Sequence, residues 1–245
     1  MKVRRRFESR SHREKRLKLP ADHPAMTESR TMYPRTVRSA NGDEWVLKSG
    51  INSIKLGDRV ARGEWAGSPL YSLKLEERRT CPSACQQRAI CYGNNMGRRT
   101  TRWNVDVKLY TRLLVELDLL SMNHRTYVIR LHDLGDFPST EYVGFWFDAL
   151  EAYPGLRLYG YTHWDRGSEI GSMIEVESSK WDRFRIRFSD NHTGRRTTHV
   201  IGHHFKAKRH RLGEVCQADD EHPDITCGSC ARCFTSQVPI AFKAH

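Results

Sequence analysis

From Leu70 to Ile201 the chain alternates between two patterns of apolar residues, and this alternation constrains the fold more than any other feature. Strand-like apolar runs occupy 70–75, 127–131, 156–161 and 184–188, and residues with the 3.6-residue apolar spacing of amphipathic helices lie between them. Strands that alternate with helices predict a mainly parallel sheet with right-handed crossovers.

The number of strands limits how such a sheet closes. A fifth strand is predicted at Thr198 to Ile201 and a sixth at Val238 to Phe242, which is fewer than the eight strands of a TIM barrel. We therefore expect an α/β fold with a partial parallel β/α barrel of about five or six strands. In the helix after the second strand, Ser139 is the predicted N-cap, and Tyr142 and Trp146 are predicted core residues.

Composition divides the chain into three parts. Residues 1–30 form a predicted mobile arm, because the first 20 residues contain nine Lys or Arg and only two Glu. Residues 31–215 form the α/β body, which opens with a β-rich lead-in and a predicted hairpin turn at Asn41-Gly42-Asp43. Residues 216–245 form a cysteine-rich module predicted to bind metal.

The sequence excludes several classes of protein. No run approaches the 18 or so apolar residues of a membrane span, and MKVRRRFESR has no apolar core after its charges. Neither secretion nor membrane binding is expected, and the expected location is the cytoplasm. No glycine-rich phosphate loop, serine nucleophile elbow or H-E-x-x-H helix occurs. The remaining enzyme candidates are therefore metal-centred.

Seven cysteines form two groups, and a reducing compartment would keep them as thiols. The first group, Cys81, Cys85 and Cys91, follows the first predicted strand. Three thiolates there could bind three irons of a [4Fe-4S] cluster and leave the fourth iron open, or supply three of zinc's four ligands. Unliganded thiols are the remaining alternative.

The second cysteine group lies near the end of the chain and consists of Cys216, Cys227, Cys230 and Cys233. Two-residue spacings suit both a zinc tetrathiolate and an iron–sulfur cluster. The group could also serve only to clamp the C-terminus. The two groups could form separate sites, or converge on one site and share ligands.

Polar residues follow three of the predicted strands. Because the carboxyl ends of parallel strands gather at one edge, where active sites of α/β proteins lie, these residues predict a site. The alternative for Asp136 is a cap on the following helix. The predicted catalytic residues are His132, Asp133, Asp136, His163 and Asp190, and the predicted cofactor-binding residues are Gly135 and Asn191.

The net charge of +12 favours a polyanionic partner, most often nucleic acid. Two stretches concentrate this charge, the N-terminal arm and the strip from His203 to Arg211. The predicted phosphate-contacting residues are Arg4, Arg5, Arg6, Lys206, Lys208, Arg209 and Arg211. The alternative is that the N-terminal arm only increases solubility, because simple solubilising extensions have the same basic composition.

Four motifs together resemble one known family: LEERRTCPSACQQRAICYGNNM, RLHDLGDFPSTEYVGFW, GYTHW and CGSCARCFTSQVPIAFKAH. Over residues 65–245 the chain resembles the phage gene product 88 family, which is similar in turn to phage proteins regarded as radical-SAM-like. The resemblance implies a phage or prophage origin and hence a host-cell cytoplasm. It also implies a [4Fe-4S] cluster on Cys81, Cys85 and Cys91, although the usual motif places its second and third cysteines closer together.

Two hypotheses from different classes follow. The first is an iron–sulfur enzyme of radical-SAM-like type that cleaves S-adenosylmethionine and acts on nucleic acid or on a small molecule. The alternative is a non-catalytic phage protein that binds nucleic acid through its basic arm and uses both cysteine groups as structural zinc sites.

Overall fold

The structure is a computed structural model that describes residues 17–53, 55–97, 99–189, 193–202, 205, 208–218, 222 and 224–244. Of the predicted site residues, the three arginines of the arm and Asp190, Asn191 and Lys206 lie outside the described residues.

Strands and helices alternate through the middle of the chain. The strands are β1 (Val37–Arg38), β2 (Lys48–Ser49), β3 (Leu70–Lys74), β4 (Arg102–Trp103), β5 (Tyr127–Leu134), β6 (Leu156–Thr162), β7 (Phe184–Ser189), β8 (Thr197–Ile201), β9 (Arg209–His210), β10 (Gly213–Val215) and β11 (Ile240–Lys243). The α-helices are α1 (Pro24–Thr27), α2 (Val107–Asn123), α3 (Thr140–Ala152), α4 (Glu169–Ser179), α5 (Cys227–Cys230) and α6 (Arg232–Thr235). Short 3-10 helices occupy Pro34–Thr36, Gly50–Asn52 and Tyr92–Asn95.

One large sheet organises the fold. Its nine strands lie in the order β2-β3-β5-β6-β7-β8-β11-β10-β9. Neighbouring strands from β3 to β10 are parallel. The edge strand β2 is antiparallel to β3, and the edge strand β9 is antiparallel to β10. The predicted α/β class and mostly parallel sheet are confirmed, including a strand near residues 238–242. The two edge strands do not pair with each other among the described residues, so no closed barrel is seen.

Helices α2, α3 and α4 pack with one face of the sheet in the main core. That core includes Leu117 of α2, Tyr142 and Trp146 of α3, and Ile174 of α4. Each of these large buried side chains stabilises the fold by roughly 1.5–3 kcal/mol. Ser139 caps α3 by accepting the Tyr142 amide, so the predicted cap and the two predicted core residues are confirmed. No helix of the described residues is long and apolar enough to cross a membrane.

The lead-in differs from the predicted β-rich hairpin. Its two strands have two residues each, and β1 pairs with β4 whereas β2 pairs with β3. The buried Glu116 carboxylate explains part of this, because it accepts the amides of Val46 (2.7 Å) and Leu47 (2.8 Å), which a hairpin partner would otherwise satisfy. The segment after Asn41-Gly42-Asp43 is therefore anchored to α2.

The C-terminal segment shares a core with the body. Phe234 of α6 stacks on Trp65 with ring centroids 5.2 Å apart and contacts Tyr159 of β6 at 4.8 Å. Strand β11 lies between β8 and β10 in the large sheet. The predicted module at 216–245 thus packs against the sheet and also adds a strand to it.

Arg187 on β7 holds this segment in place. Its side chain is fully buried, and its guanidinium donates to the carbonyls of Cys233 (2.8 Å), Val238 (2.9 Å) and Ser236. Buried carbonyls need donors, and a guanidinium offers five N–H groups. The position of Cys233 therefore depends on a side chain of the sheet.

We predict that Arg187→Met lowers the free energy of unfolding by about 3 kcal/mol, because several buried carbonyls lose their donor. Urea denaturation would measure the change. The control is Arg125→Met at an exposed position, for which a change within about 0.5 kcal/mol is expected. Equal effects of the two substitutions would contradict the role of Arg187.

Candidate functional site

A cavity of about 760 Å³ lies at the carboxyl ends of the parallel strands and contains most of the cysteines. The loop after β3 contributes Cys81, Cys85 and Cys91, and the C-terminal segment contributes Cys216, Cys227 and Cys233. Cys230 is not among the lining residues. The two groups, whose relation the sequence leaves open, therefore face one cavity.

A buried polar network holds the first cysteine loop, which has little regular structure. Arg102 pairs with Glu77 (Nε to Oε2, 2.6 Å) and donates to the carbonyls of Gly93 and Met96, both at 3.1 Å. A Cβ on Gly93 would lie 2.6 Å from Oε1 of Glu77, so only glycine permits this approach.

A second arginine completes the support of this loop. Arg78 donates to the Arg88 carbonyl (3.1 Å) and to the Asn94 side chain, and Asn94 donates in turn to the Ala89 carbonyl (3.1 Å). Arg78 and Asn94 are buried. Side-chain donors thus replace the hydrogen bonds that a helix or strand would supply.

All seven cysteines are free thiols. Burial raises the pKa of Cys81, and the negative charges of Asp136, Cys91 and Cys85 raise it further. Burial likewise raises the pKa of Cys91 and of Cys227 to about 11 and that of Cys216 to about 12. Thiolates at this wall therefore require a compensating cation, as a metal centre provides.

The thiols are not gathered around a single point. Within the described part of the chain, no group of three or more His, Cys, Asp or Glu side chains is placed to hold one metal ion. Tetrahedral zinc needs its sulfurs within about 4 Å of one another, since each Zn–S bond is about 2.3 Å. A [4Fe-4S] cluster binds each cysteine to a different iron and spreads the ligands further apart. Six thiols on one cavity wall are donors that either group accepts.

Asp133 carries a permanent charge on the cavity wall. Its carboxylate pairs with Lys74 (2.9 Å) and Arg130 (3.0 Å). Burial alone would raise the pKa of Asp133, but the Arg130 and Lys74 charges lower it below its usual range. The predicted catalytic residue Asp133 is thus suited to binding charge.

His132 lines the same cavity and is 5% exposed. Its Nε2 lies 2.8 Å from the Tyr142 hydroxyl, and its Nδ1 has no hydrogen-bond partner. Burial lowers the pKa of His132 to about 3, so the ring is neutral near pH 7. The Nδ1 atom is thus a buried and unpaired polar atom beside the cavity.

Asp136 is buried and does not line the cavity. Its carboxylate accepts the amides of Phe137 and His163, both at 2.8 Å, and so joins the ends of β5 and β6. Ser139 rather than Asp136 is the N-cap of α3, but the Asp136 carboxylate is fully engaged in the turn that leads into this helix. His163 itself lines the cavity.

Gly135 also lines the cavity and has a φ of +83°. A Cβ there would lie 2.6 Å from Oγ1 of Thr80 and 2.7 Å from Cβ of Leu75. The glycine therefore allows the end of β5 to pack against the start of the cysteine loop. This contact places the two predicted site segments side by side.

Other lining residues were not singled out in the sequence: Lys74, Arg130, Tyr161, Ser189, Thr198 and His199. Ser189 ends β7, next to the predicted Asp190, and its Oγ lies 2.9 Å from Oγ1 of Thr198. A signal was present for Lys74 and Arg130, because charged residues inside apolar strands are seldom buried without a partner.

The sequence matches one known protein family. A family described as Gene product 88 matches residues 45–236, which is 192 of the 245 residues and includes all seven cysteines. The chain belongs to the gene product 88 family. The phage-family resemblance is thereby confirmed, whereas its radical-SAM-like part has no support from this match. No curated protein and no solved structure matches the chain.

The neutral state of His132 predicts a pH dependence for this family member. The folded pKa of about 3 lies below the ordinary 6.5 of the residue, so between these values the unfolded chain binds more protons. Stability attributable to His132 is therefore present at neutral pH and falls as the pH falls below about 6.5, by up to about 1.4 kcal/mol per pH unit.

Urea unfolding between about pH 7 and pH 5 would measure this effect in the wild type and in His132→Gln, which cannot titrate. We expect a shallower pH dependence in the variant. His124→Gln is the control, because His124 lies at the end of α2 beside Tyr71 and outside the cavity. Parallel profiles for the wild type and His132→Gln would contradict a neutral buried ring.

Proposed function

We propose that this protein is an iron–sulfur enzyme of radical-SAM-like type and that its reaction takes place in the cysteine-lined cavity. The observation that carries the proposal is the convergence of six thiols from two distant segments on one cavity at the carboxyl ends of parallel strands. Active sites of open α/β sheets lie at this edge. The cavity volume of about 760 Å³ suits a small-molecule ligand.

In this proposal Cys81, Cys85 and Cys91 hold the [4Fe-4S] cluster, and one iron stays open to an added ligand. When bound and reduced, the cluster supplies the electron for cleaving S-adenosylmethionine. The arginine-held loop keeps the three thiols on one wall. Cys216, Cys227 and Cys233 contribute a second set of thiols to the same cavity, which suits a second cluster or metal.

The chain's own residues would bind and orient the co-substrate. Asp133, Arg130 and Lys74 form an ion-paired group on the cavity wall, and this group would exchange its internal pairs for the ammonium and the carboxylate of the co-substrate. His132 and His163 add imidazole rings to the same wall. On the sheet face that carries Cys227 and Cys233, Phe234 packs on Trp65 and Tyr159, and this packing excludes water from that part of the face.

The alternative of structural zinc sites has less support. Such sites would draw on the same thiols that line the cavity. A basic, non-catalytic protein also has no need for His132, Asp133 and His163 in the wall of the cavity.

Metal analysis tests the cluster. Protein purified without oxygen should contain about four irons and about four sulfides per cluster and absorb visible light. Cys81→Ser should lose this iron and absorbance because an iron ligand is removed. Cys230→Ser is the matched control, since Cys230 does not line the cavity, and it should retain the first cluster. A colourless protein that contains only zinc would overturn the proposal.

Product analysis tests the reaction. Reduced, reconstituted protein incubated with S-adenosylmethionine should release 5′-deoxyadenosine. Cys81→Ala should lower the yield to background, and Asp133→Asn should lower it at least about tenfold, because a charge-assisted contact worth about 1.4 kcal/mol or more is lost. If the wild type yields no more product than Cys81→Ala, the activity is refuted even when the cluster is present.

A further inference from the structure

A second cavity, of about 470 Å³, lies beside the hairpin formed by β9 and β10. Arg209, His210 and Arg211 of this hairpin line it. Lys208, just before the hairpin, is exposed, as are Arg209 and Arg211. Residues 209–211, the end of the basic strip predicted from the sequence, thus form one wall of a groove.

The groove adjoins the cysteine cavity. His199 on β8 lines both cavities and is therefore the side chain they share. It is 8% exposed, so its position in the sheet is fixed by the surrounding strands. The two cavities therefore meet at His199.

Positive charge continues along this path. Six Lys and Arg side chains line the cysteine cavity against three carboxylates. One of those carboxylates, Asp133, pairs with two of the six cations, Lys74 and Arg130, and this leaves four cations against two carboxylates. In the groove, Glu214 lies 2.9 Å from Arg232 and 3.9 Å from Arg209, so two arginines share its charge. A chain of phosphates would therefore meet a favourable potential from the groove to the cavity.

The size of the cysteine cavity decides whether such a polyanion can enter as a duplex or only as a single strand. About 760 Å³ accommodates a group the size of one nucleotide and excludes a duplex. Enzymes that act on a base receive it from a single strand or flip it out of the duplex. Tyr161 and Phe242 also line the cavity, with ring centroids 5.3 Å apart, and provide aromatic surfaces for a base.

We infer that the substrate is a single-stranded nucleic acid whose phosphates lie along the β9–β10 hairpin and whose reacting nucleotide enters the cysteine cavity past His199. This inference rests on the proposed function, since it names the substrate class of that site. It depends only on described residues and needs no contribution from the N-terminal arm.

Fluorescence anisotropy with labelled strands of about 12 nucleotides tests the binding path. The wild-type protein should bind single-stranded DNA or RNA more tightly than a duplex of the same sequence. Arg209→Glu with Arg211→Glu should weaken binding at least about tenfold and lower the salt slope by about two, one per lost phosphate contact. The matched control, Arg62→Glu with Arg125→Glu, makes the same charge change at exposed positions outside both cavities and should change affinity less than about threefold.

Entry of a nucleotide is tested by placing 2-aminopurine at each position of the strand in turn. One position should change its fluorescence on binding, and His199→Trp, which narrows the shared wall, should abolish that change while the strand remains bound. Tighter binding of the duplex, equal losses in the two double variants, or no responsive position would overturn the inference.

Iron and sulfide are measured on the same preparation, so the two proposals can fail separately. Strand binding without iron refutes the enzyme proposal and supports the path. A cluster without strand binding at low salt leaves the enzyme proposal standing and overturns the path.

Discussion

Buried arginine side chains hold the irregular segments of this protein against its sheet, and the candidate site depends on them. Arg78 and Arg102 donate to carbonyls of the first cysteine loop, and Arg187 donates to carbonyls of the C-terminal segment. Neither segment has enough regular structure to satisfy its own backbone, and an unpaired buried carbonyl costs about 1–3 kcal/mol. The cysteines therefore take their positions from these side chains.

The same arginines influence the chemistry of the cavity. Burial raises the pKa of Cys233, and Arg187 and a hydrogen bond from Tyr161 oppose that rise. Burial also disfavours a charged Arg187, so the guanidinium and a thiolate at Cys233 stabilise each other. A side chain that positions the backbone thus also adjusts the charge of a thiol in the proposed site.

Local patterns predicted the central part of the fold well. The parallel strands β5, β6 and β7 are long and apolar, and the Ser139 cap of α3 depends only on neighbours in sequence. Strands β2, β9 and β10 were missed because they have two or three residues each, too few to show a period. The lead-in was mispredicted because Glu116, some seventy residues away, accepts its amides.

The sequence by itself determined the fold class, the two groups of free thiols and the basic strip, because strand periods, residue spacings and charge are local properties. Only the tertiary structure decided that six cysteines share one cavity, that Cys230 does not line it and that His199 lines both this cavity and the groove beside the basic hairpin. These relations arise because β11 inserts between β8 and β10 and Arg187 fixes the segment before it. Such long-range contacts leave no periodic trace in a single sequence.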